Sequence, residues 1–82
     1  MIIKILGSGC ANCVRLELNA REAVKKLGIE AEFIKVTDFK DIMAYNIMST
    51  PGLVVEEKVL SYGKVLAPDT IKNLIQTNII YK

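Results

Sequence analysis

The sequence predicts an α/β fold built as one domain over residues 1–82, with the element order βαβαββα. Short runs rich in Ile, Leu and Val recur along the chain. The longest segment between them repeats its apolar residues every three or four positions, and the connections are short enough to keep successive elements adjacent. At 82 residues, 51% of them hydrophobic, there is material for one thin core and no second.

The first run, Ile2-Ile-Lys-Ile-Leu6, is β-branched and mostly apolar, as in a strand buried on both faces, and Gly7-Ser8-Gly9 stops it. From Cys10 to Leu27, the residues Cys13, Leu16, Ala20, Ala23, Val24 and Leu27 fall on one side of a helix, with Leu18 off that stripe. Glu17/Arg21 and Glu22/Lys26 form acid-first i,i+4 pairs, Lys25 and Lys26 occupy the last turn, and Gly28 is placed as a left-handed cap. Ala31–Val36 reads as a second strand, and a strand–helix–strand unit with such short links implies parallel pairing through a right-handed crossover. Asp38 offers an N-cap to a short helix carrying Phe39, Ile42, Met43 and Ile47, closed near Tyr45 by a left-handed Asn46. Leu53–Val55 and Val59–Tyr62 flank Glu56-Glu57-Lys58 as a hairpin. Its turn is expected to be loose, because neither Glu suits the positive φ of a tight hairpin. Pro68 opens the last helix with Asp69 in its first turn, and Ile71, Leu74, Ile75, Asn78 and Ile79 mark its inner face.

Composition excludes several functions. The chain has no His, which removes Ser-His and Cys-His nucleophile pairs and imidazole metal ligands. Eleven basic and nine acidic residues are interspersed, with no Lys/Arg stripe to neutralise phosphates, so nucleic-acid binding is not expected. The longest uncharged stretch, Ile42–Val55, contains Asn46, Ser49, Thr50 and Pro51 and falls short of the roughly 20 apolar residues of a membrane span. The N-terminal run lacks a long apolar region and a small-residue cleavage site, so cytoplasmic residence is the expectation.

One motif carries chemistry, and it uses both cysteines: Gly9-Cys10-Ala11-Asn12-Cys13. A C-x-x-C where a strand hands over to a helix aims the first sulfur at unpaired helix N–H groups, whose partial positive charge favours thiolate. Cys10 is therefore expected to be the nucleophile. Cys13, one turn further in and on the apolar stripe, is expected to be more buried and to resolve a mixed disulfide formed at Cys10. Two unrelated buried cysteines would rarely share this spacing at a helix start. A purely structural disulfide would close a loop worth only about 2 kcal/mol. The strongest rival is a binding module carrying a soft metal or arsenic species on the two thiolates. Two thiolates do not complete a zinc tetrahedron, however, and no third Cys or His is available, so no metal site is assigned.

The segments Lys4-Ile-Leu-Gly-Ser-Gly-Cys-Ala-Asn-Cys13, Val36-Thr-Asp38 and Met48-Ser-Thr-Pro-Gly-Leu-Val-Val55 resemble the thioredoxin-like superfamily over essentially the whole chain. The resemblance is greatest to its small archaeal and bacterial redox-active disulfide members. It implies a three-layer fold with a four-stranded mixed sheet and helices on both faces. It also implies a cis Thr50–Pro51 peptide beside the C-x-x-C, and a substrate face built from Thr50, Pro51, Gly9, Ala11 and Asn12. The implied activity is thiol–disulfide exchange with protein disulfides. No bound cofactor is needed, a flavin-dependent reductase restores the dithiol, and the chain works as a monomer. Gly9 stands where larger thioredoxins have Trp, and Lys4 stands where they keep the buried acid that takes the resolving thiol's proton. Gly52-Leu-Val-Val-Glu-Glu lacks the Gly-Gly-acid run with which glutaredoxins hold glutathione. Ferredoxin-like copper chaperones share the opening strand, C-x-x-C and helix, but they continue with a hairpin where this chain has one strand and a helix. Met43 and Met48 are read as core packing rather than a metal relay, and Tyr45 and Tyr62 as surface or core residues.

Overall fold

The computed structural model describes residues 1–7, 9 and 11–80, the last two by backbone alone. The elements are β1 (Ile2–Leu6), α1 (Ala11–Leu27), β2 (Glu32–Val36), α2 (Phe39–Met43), β3 (Gly52–Val55), β4 (Lys58–Tyr62) and α3 (Pro68–Ile75), followed by a π-helical turn at Gln76–Ile80. One mixed sheet runs in the order β2-β1-β3-β4, with β1 parallel to β2 and the other two pairings antiparallel. Among the described residues, no helix is long and apolar enough to cross a membrane.

Alternation along the strands splits the core into two. Ile3 and Ile5 of β1 and Leu53 and Val55 of β3 face α1 and α3, where Leu16, Ala20, Ala23, Ile71 and Ile75 close the larger cluster. Leu6 and Val54 point the other way and pack against Ile42 of α2 and Ile47. The three layers follow from this division. The first strand is not buried on both faces throughout, since Ile2 is exposed and Lys4 half-buried.

The cap signals act as expected. Asp38 accepts a hydrogen bond from the Lys40 N–H at 2.8 Å, Gly28 takes φ +71° after α1, and Asn46 takes φ +59° after α2. Several details differ from the expectation. Phe39 and Met43 of α2 are exposed, because a five-residue helix can bury only one side and Ile42 occupies it, and Met48, beyond the end of the helix, is exposed too. On the last helical segment Ile71 and Ile75 are buried and Leu74 half-buried, but Asn78 lies outside, its Nδ2 donating to the Leu74 carbonyl at 2.9 Å. The α-helix ends at Ile75, and the Ile79 side chain lies outside the described residues.

The hairpin is tight rather than loose. Its turn is the two residues Glu56 and Glu57, at φ +51° and +65°, the left-handed pair that matches the twist of the strands it joins. Side-chain bonds hold both glutamates. Glu56 Oε2 accepts from the Ile2 N–H at 2.7 Å, and Glu57 accepts from Lys4 Nζ at 2.6 Å and from the Tyr45 hydroxyl at 2.9 Å. Further along, Val54 pairs with Val59 and Leu53 with Ser61, so Leu60 is an extra residue in β4 and bulges the strand.

Candidate functional site

The site forms where β1 ends and α1 begins. The Gly7 N–H still donates to the Val36 carbonyl at 2.9 Å, which extends the parallel pairing by one residue. The chain then turns through Gly9 at φ +85°, and the helix starts at Ala11. Cys13 lies in the first helical turn and is 5% exposed, while Gly9, Ala11 and Asn12 are exposed around it. Cys10 lies outside the described residues.

The Cys13 sulfur is packed onto Gly7. A Cβ on Gly7 would overlap Cys13 Sγ, and it would also stand 3.8 Å from the Cβ of Thr50. Gly7 thus brings Cys13 and Thr50 together by having no side chain, a role the sequence reading did not assign to it. The only hint was a glycine at the very end of a strand.

The Thr50–Pro51 peptide bond is cis, and Pro51 is fully buried. The Pro51 carbonyl accepts from the Gly63 N–H at 2.8 Å, which ties it to the end of β4. Gly52 is needed beneath it, because a Cβ there would lie 2.9 Å from Ile47 Cδ1 and 3.2 Å from Leu6 Cδ1. The strand opening is fixed from two sides, which leaves Thr50 at the surface.

Two concavities border this point. One is a groove of about 310 Å³ running from Thr50 along α2, with the exposed Phe39, Met43 and Met48 among its walls. Met43 and Met48 were expected to pack in the core, and the exposure of all three residues gives the chain an apolar surface beside the site. The other is a small cavity of about 30 Å³ between α1 and β2, lined by Gly7, Gly9, Cys13, Val14, Glu17 and Lys35. Glu17 is nearly buried there, its side chain 12% exposed, and it joins Arg21 Nη2 at 2.8 Å and Lys35 Nζ at 3.3 Å. Burial pushes the Glu17 carboxyl up, but hydrogen bonds from Arg21 and Lys35 outweigh it and hold the group below its ordinary value.

Lys4 is engaged elsewhere. It points to the α2 side of the sheet, where Nζ donates to Glu57 and, at 2.9 Å, to the Tyr45 hydroxyl, 5.6 Å from that ring's centroid. The bonds it donates to Glu57 and Tyr45 push its pKa far up, so it stays a cation and takes no proton from Cys13. Tyr45 is half-buried in this network and Tyr62 is exposed.

A mixed sheet in this order, with a cysteine in the first turn of α1 set against an X–cis-Pro that opens the next antiparallel strand, defines the thioredoxin-like class of α/β proteins. The similarities agree with this class. Residues 1–76 match the family model described as thioredoxin domain. A thioredoxin of Methanothermobacter thermautotrophicus is 45% identical over 75 residues, covering 92% of this chain and 97% of that one. A thioredoxin of Methanocaldococcus jannaschii is 34% identical over 77 residues, covering 94% and 88%. The structure of thioredoxin 1 from Thermosipho africanus superimposes with a TM-score of 0.59 at 16% identity, over 98% of this chain and 96% of that one, which shows the shared fold. The chain belongs to the thioredoxin family and is a thiol–disulfide oxidoreductase.

Proposed function

We propose that the chain exchanges disulfides with protein substrates through Cys10 and Cys13, working as a single cytoplasmic domain that is monomeric and recharged by a flavin-dependent reductase. The observation that supports this best is that the Cys13 sulfur, at the start of a 17-residue helix, and Thr50 both border the space a side chain on Gly7 would fill. Cys10, the residue before that helix, attacks the substrate disulfide as thiolate, favoured by the positive end of the helix dipole. Cys13, buried one turn on, resolves the mixed disulfide. Thr50 and Pro51 hold the substrate backbone beside the sulfurs, with Gly9, Ala11 and Asn12 as the opposite lip. The groove along α2 takes the substrate residues next to its disulfide, because Thr50 lines the groove and also borders the space beside Gly7 where the Cys13 sulfur lies.

Trapping tests the roles. A Cys13→Ser chain incubated with an oxidised protein should accumulate a mixed disulfide through Cys10, and Cys10→Ser should accumulate none. The reverse pattern would reverse the assignment. A redox titration of the intact chain should then give one reversible two-electron transition. A potential near about −270 mV marks a reductant and one near about −120 mV an oxidant. No transition would remove the reading.

A further inference from the structure

Resolution needs a thiolate at Cys13, yet Cys13 is 5% exposed and on the inward stripe of α1, where burial favours the neutral thiol. The proton must therefore leave as the sulfur attacks. Lys4, a permanent cation on the opposite face of the sheet, does not take it. Glu17 stands one helical turn beyond Cys13, at the i,i+4 spacing that makes side chains neighbours. It is the only carboxylate among the described residues lining the 30 Å³ cavity that Cys13 also lines, and that space is enough for one water.

We propose that Glu17 is the proton acceptor for the Cys13 thiol, reached through a water in the cavity the two residues share; the proposal rests on the resolving role given to Cys13 above. In the step, the Cys13 S–H proton passes through the water to a Glu17 oxygen while the sulfur attacks Cys10. The Cys10–Cys13 bond forms, the Cys10–substrate bond breaks, and the electron pair leaves on the substrate sulfur. Glu17 then returns the proton to solvent and the substrate thiolate takes one up. The net change is oxidation of the protein dithiol and reduction of the substrate disulfide.

The groups facing Glu17 suit this role. Arg21 from its own helix and Lys35 from β2 bond its oxygens, so it is ionised and ready to accept at neutral pH. Its negative charge also disfavours a resting thiolate at Cys13, which leaves Cys10 to make the first attack. Lys35 lines the same cavity and bridges the carboxylate to the edge strand of the sheet, which holds the carboxylate at the cavity.

The test uses the reduced full-length chain and 5,5′-dithiobis(2-nitrobenzoate), whose coloured thiolate is released once when Cys10 is modified and once more when Cys13 resolves the adduct. Glu17→Gln should leave the first release unchanged and slow the second about 10²-fold at neutral pH, the low end of general acid–base effects. The second release should be level across neutral pH in the unaltered chain. In Glu17→Gln it should climb about tenfold per pH unit, as expected when only solvent removes the proton. Glu17→Asp should restore part of the level region. A second release in Glu17→Gln with unchanged rate and pH profile overturns the proposal and leaves the thiol–disulfide reading standing. An unaltered chain that gives a first release and no second overturns both. Lys35→Gln is the independent arm should Glu17→Gln fold poorly. Loss of the cation should move the acid limb of the second release to higher pH, and a limb that does not move counts against Glu17.

Discussion

The Cys13 sulfur occupies the space that a side chain on Gly7 would need: a Cβ on Gly7 would overlap Sγ and stand 3.4 Å from the Cβ of Cys13. The φ of Gly7 is outside the left-handed region, so alanine is permitted by the backbone and the conflict lies with the sulfur alone. Gly7→Ala should cost about 1–3 kcal/mol, the usual penalty for forcing a methyl group into a filled space. It should also slow the second step of disulfide exchange more than the first, since the proposed resolving sulfur is the atom that the new methyl group displaces. Urea unfolding gives the stability and single-turnover kinetics gives the two steps. A variant that matches the parent in both would mean that the Cys13 contact is readily given up.

The groove along α2 makes a separate prediction. Phe39 is 72% exposed and Met48 87% exposed, so truncating either removes little buried area and should change stability by less than about 0.5 kcal/mol. The double variant Phe39→Ala/Met48→Ala should nevertheless lower kcat/KM several-fold toward a folded protein disulfide and leave the rate with a small disulfide unchanged. Equal rates with both substrates would remove the groove from the substrate face.

In the core, two leucines on one helix separate burial from helix propensity. Leu16 is fully buried against the sheet, whereas Leu18 is 61% exposed. Leu16→Ala should destabilise by about 2–5 kcal/mol and Leu18→Ala by less than about 0.5 kcal/mol, measured as the shift in urea midpoint at constant slope.

The hairpin turn shows where sequence reasoning stopped short. Local preference argued against a tight Glu56-Glu57 turn, yet both residues adopt positive φ, because partners far along the chain reward it: Lys4 and Tyr45 hold Glu57, and the Ile2 N–H holds Glu56. Lys4 and Ile2 lie 53 and 54 residues away, out of reach of any window read along the chain, and Tyr45, 12 away, belongs to a segment on the other side of β3. Glu57→Gly, which relieves the left-handed backbone, should therefore unfold a few degrees above Glu57→Gln, which loses the charge and keeps the strain. Identical melting temperatures would show that the turn costs nothing.

The same distinction runs through the rest of the molecule. Elements defined by period and caps were legible: the α1 stripe, the Asp38 cap, the left-handed Gly28 and Asn46, and the parallel pairing forced by a short crossover. Around the candidate site, positions were legible where one motif or one resemblance names adjacent residues: Cys13 is buried on α1 and the Thr50–Pro51 peptide is cis. Gly7 and Lys35 were not, since their roles exist only once β1, β2 and α1 are packed together. Met43 and Met48 were misplaced in the core because their spacing was read as helical, whereas the helix ends at Met43 and has little inner face to offer.

Glu17 also makes a prediction about stability that is independent of catalysis. Its carboxyl is held below the ordinary value of 4.5, so its ionisation favours the folded chain. That contribution is fully present above the unfolded value and disappears as pH falls through the lower, folded one. Arg21 and Lys35 are exposed and screened by solvent, which keeps its size at up to about 1 kcal/mol. The difference in unfolding free energy between the parent and Glu17→Gln should then be constant from neutral pH down to about 4.5 and shrink below it. A difference that grows on acidification would mean that burial, rather than the two cations, governs the carboxyl. Lys35→Gln should reduce the same difference at neutral pH, because Lys35 is the cation that joins α1 to the edge strand β2. Urea titrations of the four chains (parent, two single variants and the double) would give the coupling between Glu17 and Lys35 directly, and zero coupling would place the whole effect on Arg21.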